Sequence, residues 1–202
     1  MRPNRITAAP AAQARGGVDK RDATGQKTVG TMTRLFEELD YCPTPIGTLT
    51  LRRRREMRLG VDVHEVALGD EFLMTSLFTA SEEALGRLGV AACRHGARDV
   101  VVGGLGLGYT AQAVLAQTEV AELVVVEYLA PVIEWHRRGI LPMGRMLCDD
   151  ARCRLVEGDF FAMAAGADGF DPERPGRRVD AILLDIDHTP DHLLDARSES
   201  LY

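Results

Sequence analysis

Apolar and polar positions follow three different rhythms along this chain. Residues 1–31, rich in Ala, Gly, Arg, Thr and Gln, show neither a helical nor a strand period, and such a stretch buries too little apolar surface to offset the entropy of ordering it. A disordered tail is expected there. The pattern becomes protein-like at Met32, which makes Met32 a second candidate start. Between Phe36 and Asp70, Thr48–Arg52 and Val61–Val66 alternate apolar with polar residues, after the turn-rich Tyr41-Cys42-Pro43-Thr44-Pro45-Ile46-Gly47. A period of two between turns predicts β-hairpins, so 32–70 is read as a small N-terminal β-hairpin region. From Glu71 to Leu88 the spacing of Phe72, Leu73, Leu77, Phe78, Leu85 and Leu88 is roughly helical. Thr79 and Glu82 are placed as a capping box that restarts this helix midway, and Gly89 as its terminator.

The third rhythm fills residues 71–202, where Val100–Val102, Leu123–Val126, Cys153–Val156 and Val179–Leu184 are short runs without polar alternation. Strands buried on both faces read this way, as in a parallel sheet covered by helices. Helices are predicted over Tyr109–Gln117, from Pro131 with Val132, Ile133 and Trp135 inward, and near Phe160. The fold class is therefore α/β, a Rossmann-like sheet behind a small hairpin domain.

The first of these strands runs into Gly103-Gly104-Leu105-Gly106-Leu107-Gly108. Glycines at such a turn let the backbone approach a ligand, and the following helix turns its positive end toward the same place. Glu127 ends the next strand nineteen residues after Gly108, close to the spacing at which a carboxylate meets ribose hydroxyls. Asp159 ends the third strand, where an acid accepts from an adenine amino group or caps the next helix. The fourth strand delivers Asp185, Asp187 and His188, with Asp191 and Asp195 beyond. Carboxylates at that edge attract a cation and can accept a proton from a reacting amine, or form a solvated capping turn. Asp185 and Asp187 are the catalytic candidates; Gly103, Gly104, Gly106, Gly108, Glu127 and Asp159 are the cofactor-binding ones. Arg52–Arg55 reads as a solvated strand face, His64 as structural, and Trp135 and His136 as core.

Composition narrows the partners. At 202 residues and a net charge of −6, a broad nucleic-acid surface is not expected. No apolar run reaches the roughly 18 residues of a membrane span. Cys42, Cys93, Cys148 and Cys153 sit at no metal-ligand spacing, so no metal is expected and all four read as reduced thiols in a cytoplasmic protein.

With these residues in place, the chain from about Phe36 to Tyr202 resembles the spermidine synthase family, a branch of the class I S-adenosylmethionine-dependent methyltransferase fold. The resemblance is carried by the hairpin domain, Asp70-Glu71-Phe72, the Gly103-Gly104 loop, Glu127, Gly158-Asp159 and the turn from Asp185. It implies a sulfonium nucleoside, S-adenosylmethionine or its decarboxylated form, with the loop glycines at its amino-acid or propylamine end, Glu127 at the ribose, Asp159 at the adenine and Asp185 at the attacking amine. The chain departs from the family where polyamine-making members carry an Asp in the loop, here Gly106. It departs again at Met74-Thr75-Ser76 in place of a Tyr-His step, and at Asp185-Ile186-Asp187-His188-Thr189-Pro190 in place of Asp-Ser-Ser-Asp-Pro. The methyltransferase fold usually has seven strands and four are counted here, so C-terminal strands are expected to be missing. The resulting expectation is aminopropyl transfer to a small-molecule amine or other small acceptor. Methyl transfer and a non-catalytic nucleoside-binding relative are the alternatives; no nucleic-acid or membrane partner is expected, and homo-oligomerisation stays open.

Overall fold

The computed structural model describes residues 35–93, 96 and 98–186. The expected tail, Met32 and the acidic positions Asp187, Asp191 and Asp195 lie outside the described residues, as does His188.

Four strands, β1 (Phe36–Thr44), β2 (Gly47–Glu56), β3 (Val61–Leu68) and β4 (Glu71–Thr75), form an antiparallel meander in that order. Its register sets Leu49 opposite Leu68 and Leu51 opposite Val66. Leu49 and Leu51 are fully buried, and burying each stabilises the fold by roughly 1.5–3 kcal/mol. Three arginines of the basic run pair within the sheet rather than being simply solvated. Arg53 meets Glu37 at 2.5 Å, Arg54 meets Glu65 at 2.6 Å and Arg55 meets Asp62 at 3.1 Å.

Glu71–Thr75 is a strand, which corrects the helix expected from Glu71. The ladder to β3, with Phe72 opposite Ala67, overrides a helical spacing of only five residues. Helix α1 (Ala80–Ala91) then starts after Thr79, as expected. The capping box does not form: the Thr79 hydroxyl donates to Glu83 at 2.7 Å and caps no backbone amide. Gly89 does not end the helix either. It lies inside α1 where a Cβ would overlap the Leu183 side chain, so its smallness serves packing.

The second sheet holds β5 (Asp99–Gly103), β6 (Glu122–Glu127), β7 (Cys153–Glu157) and β8 (Ala181–Leu184), all parallel, in the order β7-β6-β5-β8. Between them run α2 (Tyr109–Leu115), α3 (Ala130–Arg137), α4 (Gly144–Asp149) and α5 (Phe160–Ala165); α4 is too short to leave a period in the sequence. Val100 and Val102 join one core that continues to Leu49, Leu51 and Val66 of the meander. Val101, Val124 and Val126 face the other way, against Phe160 and Phe170.

The meander is also fixed to α3 by polar contacts. Asp40, beside an irregularity in β1, accepts from Trp135 Nε1 at 2.9 Å and Arg138 at 2.6 Å. Burial raises the Asp40 carboxyl, but these donors outweigh it and hold it below the usual range. At the opposite end of the parallel sheet, Arg174 and Arg177 clamp the loop before β8 onto Glu122.

Candidate active site

Strand order decides where a ligand can sit. β6 and β7 lie on one side of β5 and β8 on the other, so successive connections leave β5 in opposite directions and open a crevice beyond its carboxyl end. A cleft of about 310 Å3 lies there, walled by the glycine loop, the ends of β6 and β8, the start of α5 and the meander residues Ile46, Leu68, Leu73 and Met74. It gathers Gly104, Gly106, Glu127, Asp159 and Asp185 around one space. Gly103 and Gly108 flank it: Gly103 packs on the Phe160 ring, and Gly108 starts α2 against His136 and Leu147.

The loop needs glycine for two separate reasons. Gly104, Gly106 and Gly108 have φ of 93°, 47° and 92°, left-handed values that cost an ordinary side chain strain. At Gly104 there is also no room, since a Cβ would overlap the Asp185 carbonyl. The loop's backbone groups are largely engaged inside the fold. The amides of Gly104 and Gly108 donate to Val126 and Leu105 carbonyls, each at 2.8 Å. The Gly106 carbonyl accepts from His136 Nε2 at 2.9 Å, so the His136 ring is the Nε2–H tautomer. Burial lowers the pKa of this fully buried ring.

Glu127 closes the loop from below. One carboxylate oxygen accepts from Leu105 N at 2.9 Å and the other from Leu129 N at 2.8 Å. Burial pushes its pKa up and backbone amides pull it back. The amides of Gly106 and Tyr128 also bond this carboxylate, which lines the cleft. Asp159 uses Oδ1 to cap α5, accepting from Phe161 N and Ala162 N at 2.9 and 3.1 Å, which leaves Oδ2 for another donor.

Asp185 follows β8, its amide held by the Gly103 carbonyl at 2.7 Å. Its Oδ2 accepts from the buried Thr110 hydroxyl at 2.5 Å. Burial raises its pKa, the Thr110 bond lowers it, and the nearby Glu82 carboxylate raises it again.

Glu82 is the residue that sequence reasoning assigned elsewhere, to a helix cap. It borders a smaller cavity of about 30 Å3 next to the cleft, with Met74, Thr75, Gly106, Tyr109 and Asp185. Only the packing of α1 on the loop brings it there, and no local spacing announces that. Among the described residues lining the two cavities there is no Lys, Arg or His. The field is thus negative at one end and apolar along the walls, which suits a cationic, partly apolar ligand. Away from the cleft, burial pushes the Cys153 thiol up to about 12. Among the described residues no group of three or more His, Cys, Asp or Glu could hold a metal ion, and no helix is long and apolar enough to cross a membrane.

No family model matches the sequence, and no curated protein matches it. Solved structures do. The spermidine synthase from Thermotoga maritima superposes with a TM-score of 0.57 at 19% identity, over 77% of this chain and 49% of that one. A spermidine synthase in complex with the transition state analogue AdoDATO superposes with a TM-score of 0.55 at 18% identity, over 74% of this chain and 46% of that one. The chain spans about half the length of these structures. It shares with them an α/β fold, an antiparallel N-terminal sheet ahead of a Rossmann-like parallel sheet.

Proposed function

We propose that the cleft binds an adenosyl sulfonium, with decarboxylated S-adenosylmethionine as donor, and transfers its aminopropyl group to a small amine. In this reading the Glu127 carboxylate faces the ribose hydroxyls, Asp159 Oδ2 accepts from the adenine amino group, and Phe160, Phe161 and Leu129 cover the base. The observation that carries the reading is the pair of carboxylates, Glu82 and Asp185, beside Gly106 in cavities lined by no basic side chain. Glu82 supplies the negative charge that the family pattern puts on the loop and that Gly106 lacks. The likeness to a spermidine synthase that binds AdoDATO supports the same choice.

The chemistry asked of the residues is modest. An ammonium entering the cleft gives a proton to Asp185, and the free amine attacks the carbon next to the sulfonium. A C–N bond forms as the C–S bond breaks, and the electron pair stays on sulfur, leaving methylthioadenosine. Positioning and removal of the sulfonium from water supply most of the rate. Burial raises the Asp185 pKa, which strengthens the carboxylate as a proton acceptor.

Methyl transfer from intact S-adenosylmethionine is the competing reading, favoured by the absence of a loop carboxylate at Gly106. Against it, the amides of Gly104, Leu105 and Gly108 are engaged inside the fold, so a methionine carboxylate finds few donors and two negative neighbours. The test is a transfer assay with both donors and a panel of amines, read by the mass of the product. The expected product is an aminopropylated amine, lost in Asp185→Asn while methylthioadenosine still binds. In Glu82→Gln the preference for the decarboxylated donor should fall at least ~10-fold, on the scale of truncated charge pairs. A methylated product would establish methyl transfer, and binding without any product a non-catalytic relative.

A further inference from the structure

The Thr110 hydroxyl is held between two acceptors. Its oxygen lies 2.5 Å from Asp185 Oδ2 and 3.2 Å from the Glu82 carbonyl. Thr110 is only 2% exposed, so water does not compete for the group. A hydroxyl carries one proton and two lone pairs, and it rotates freely about its C–O bond. The Glu82 carbonyl can only accept. The carboxyl of Asp185 accepts when ionised and gains a proton to donate when protonated. Thr110 sits in the first turn of α2, the carbonyl in the first turn of α1, and Asp185 just past β8. Three elements thus meet at one hydroxyl.

We propose that Thr110 is a positioning residue for Asp185, its hydroxyl donating to the ionised carboxylate and, once Asp185 has taken a proton, turning to the Glu82 carbonyl while it accepts from Asp185. When an ammonium hands its proton to Asp185, the new carboxyl O–H donates to Thr110 Oγ1, and the hydroxyl's own proton swings to the Glu82 carbonyl. One proton moves from nitrogen to Asp185, and none leaves Thr110. A hydrogen bond joins Asp185 to Thr110 in both states, so the carboxyl keeps its place through the proton transfer. In the ionised arrangement the charged acceptor draws the donor close, and the 2.5 Å separation fits that geometry.

The charge that acts on Asp185 is the Glu82 carboxylate, which raises its pKa, and the other titratable groups around it share its cavities. Glu82 approaches from α1, Tyr109 from α2, Glu127 from the end of β6 and Asp159 from the start of α5. Each is neutral or negative, and Thr110 is the hydrogen-bond donor recorded to the Asp185 side chain among the described residues. Removing the hydroxyl therefore leaves the ionised form with less support and raises the titration midpoint.

This inference rests on Asp185 handling the acceptor amine, but its test does not depend on turnover. The full chain, labelled with 13C at the Asp side-chain carboxyls, is titrated by NMR, and the Asp185 resonance is assigned by its loss in Asp185→Asn. Thr110→Val should move the midpoint upward by about one pH unit, as expected for a lost hydrogen bond to a charged group. Thr110→Ser, which keeps the hydroxyl, should return it to the wild-type value and serves if the valine variant does not fold. The acid limb of the kcat/KM profile should move with it. An unchanged midpoint in Thr110→Val, or a shift in Thr110→Ser as large as that in Thr110→Val, overturns the proposal. If the midpoint moves but Asp185→Asn still turns over, the positioning contact stands and the role of Asp185 as amine acceptor fails.

Discussion

Glu127 and His136 show how much of the site is made by single side chains holding backbone in place. Glu127 spans the loop after β5 and the turn after β6 through Leu105 and Leu129, and His136 holds the Gly106 carbonyl from α3. The His136 ring is fully buried, its Nδ1 has no partner, and its pKa lies below the ordinary imidazole value because burial disfavours the charged form. Its unfolded value is about 6.5. Below that pH the unfolded chain takes up a proton that the folded ring resists, so stability is complete above about 6.5 and falls as pH drops beneath it. Thermal melts from pH 8 to 5 should show this decline, partly flattened in His136→Gln, whose amide can still donate to Gly106. An identical decline in the variant would remove His136 as its source; half-buried His64, shifted the same way, contributes in the same direction.

At the level of elements, the parallel strands and Asp159's cap were legible because each rests on local rules. An uninterrupted apolar run needs burial on both faces, and an acid before Phe160 meets the first amides of α5. β4 and Glu82 were not. Glu71–Thr75 owes its conformation to β3, and Glu82 reaches the small cavity beside the cleft only because α1 packs closely on α2. That closeness depends on Gly86, where a Cβ would lie 2.7 Å from both the Thr110 carbonyl and the Ala113 Cβ. Gly86→Ala should therefore lower stability by roughly 1–3 kcal/mol despite the better helix propensity of Ala, as overpacked sites do. Urea denaturation measures this, and an unchanged midpoint would contradict the close packing. Glu122, held by Arg174 and Arg177 at about 2, makes the matching electrostatic case. Its folded value lies below the unfolded one, so its stabilisation is present above about 4.5 and lost as pH falls toward 2. Glu122→Gln should flatten that acid decline, by no more than about 1 kcal/mol because Glu122 and Arg174 are both over a third exposed.

At the scale of the molecule, an antiparallel meander lies over the switch point of a parallel sheet, and its Leu68, Leu73 and Met74 close the cleft from above. In the proposed function the acids divide the space into a nucleoside end, with Glu127 and Asp159, and an end for the cationic tail, with Glu82 and Asp185. The glycine loop joins the two ends, and the apolar walls between them suit a thioether. The central claim is that this space is built for a sulfonium nucleoside whose tail lacks a carboxylate. Calorimetric titration of the chain with decarboxylated S-adenosylmethionine, intact S-adenosylmethionine and methylthioadenosine tests it directly. The expected result is one-site binding of all three, with the decarboxylated form at least ~10-fold tighter than the intact one, the carboxylate being repelled by Glu82 and Asp185. Tighter binding of the intact form, or no binding of any of them, would contradict it.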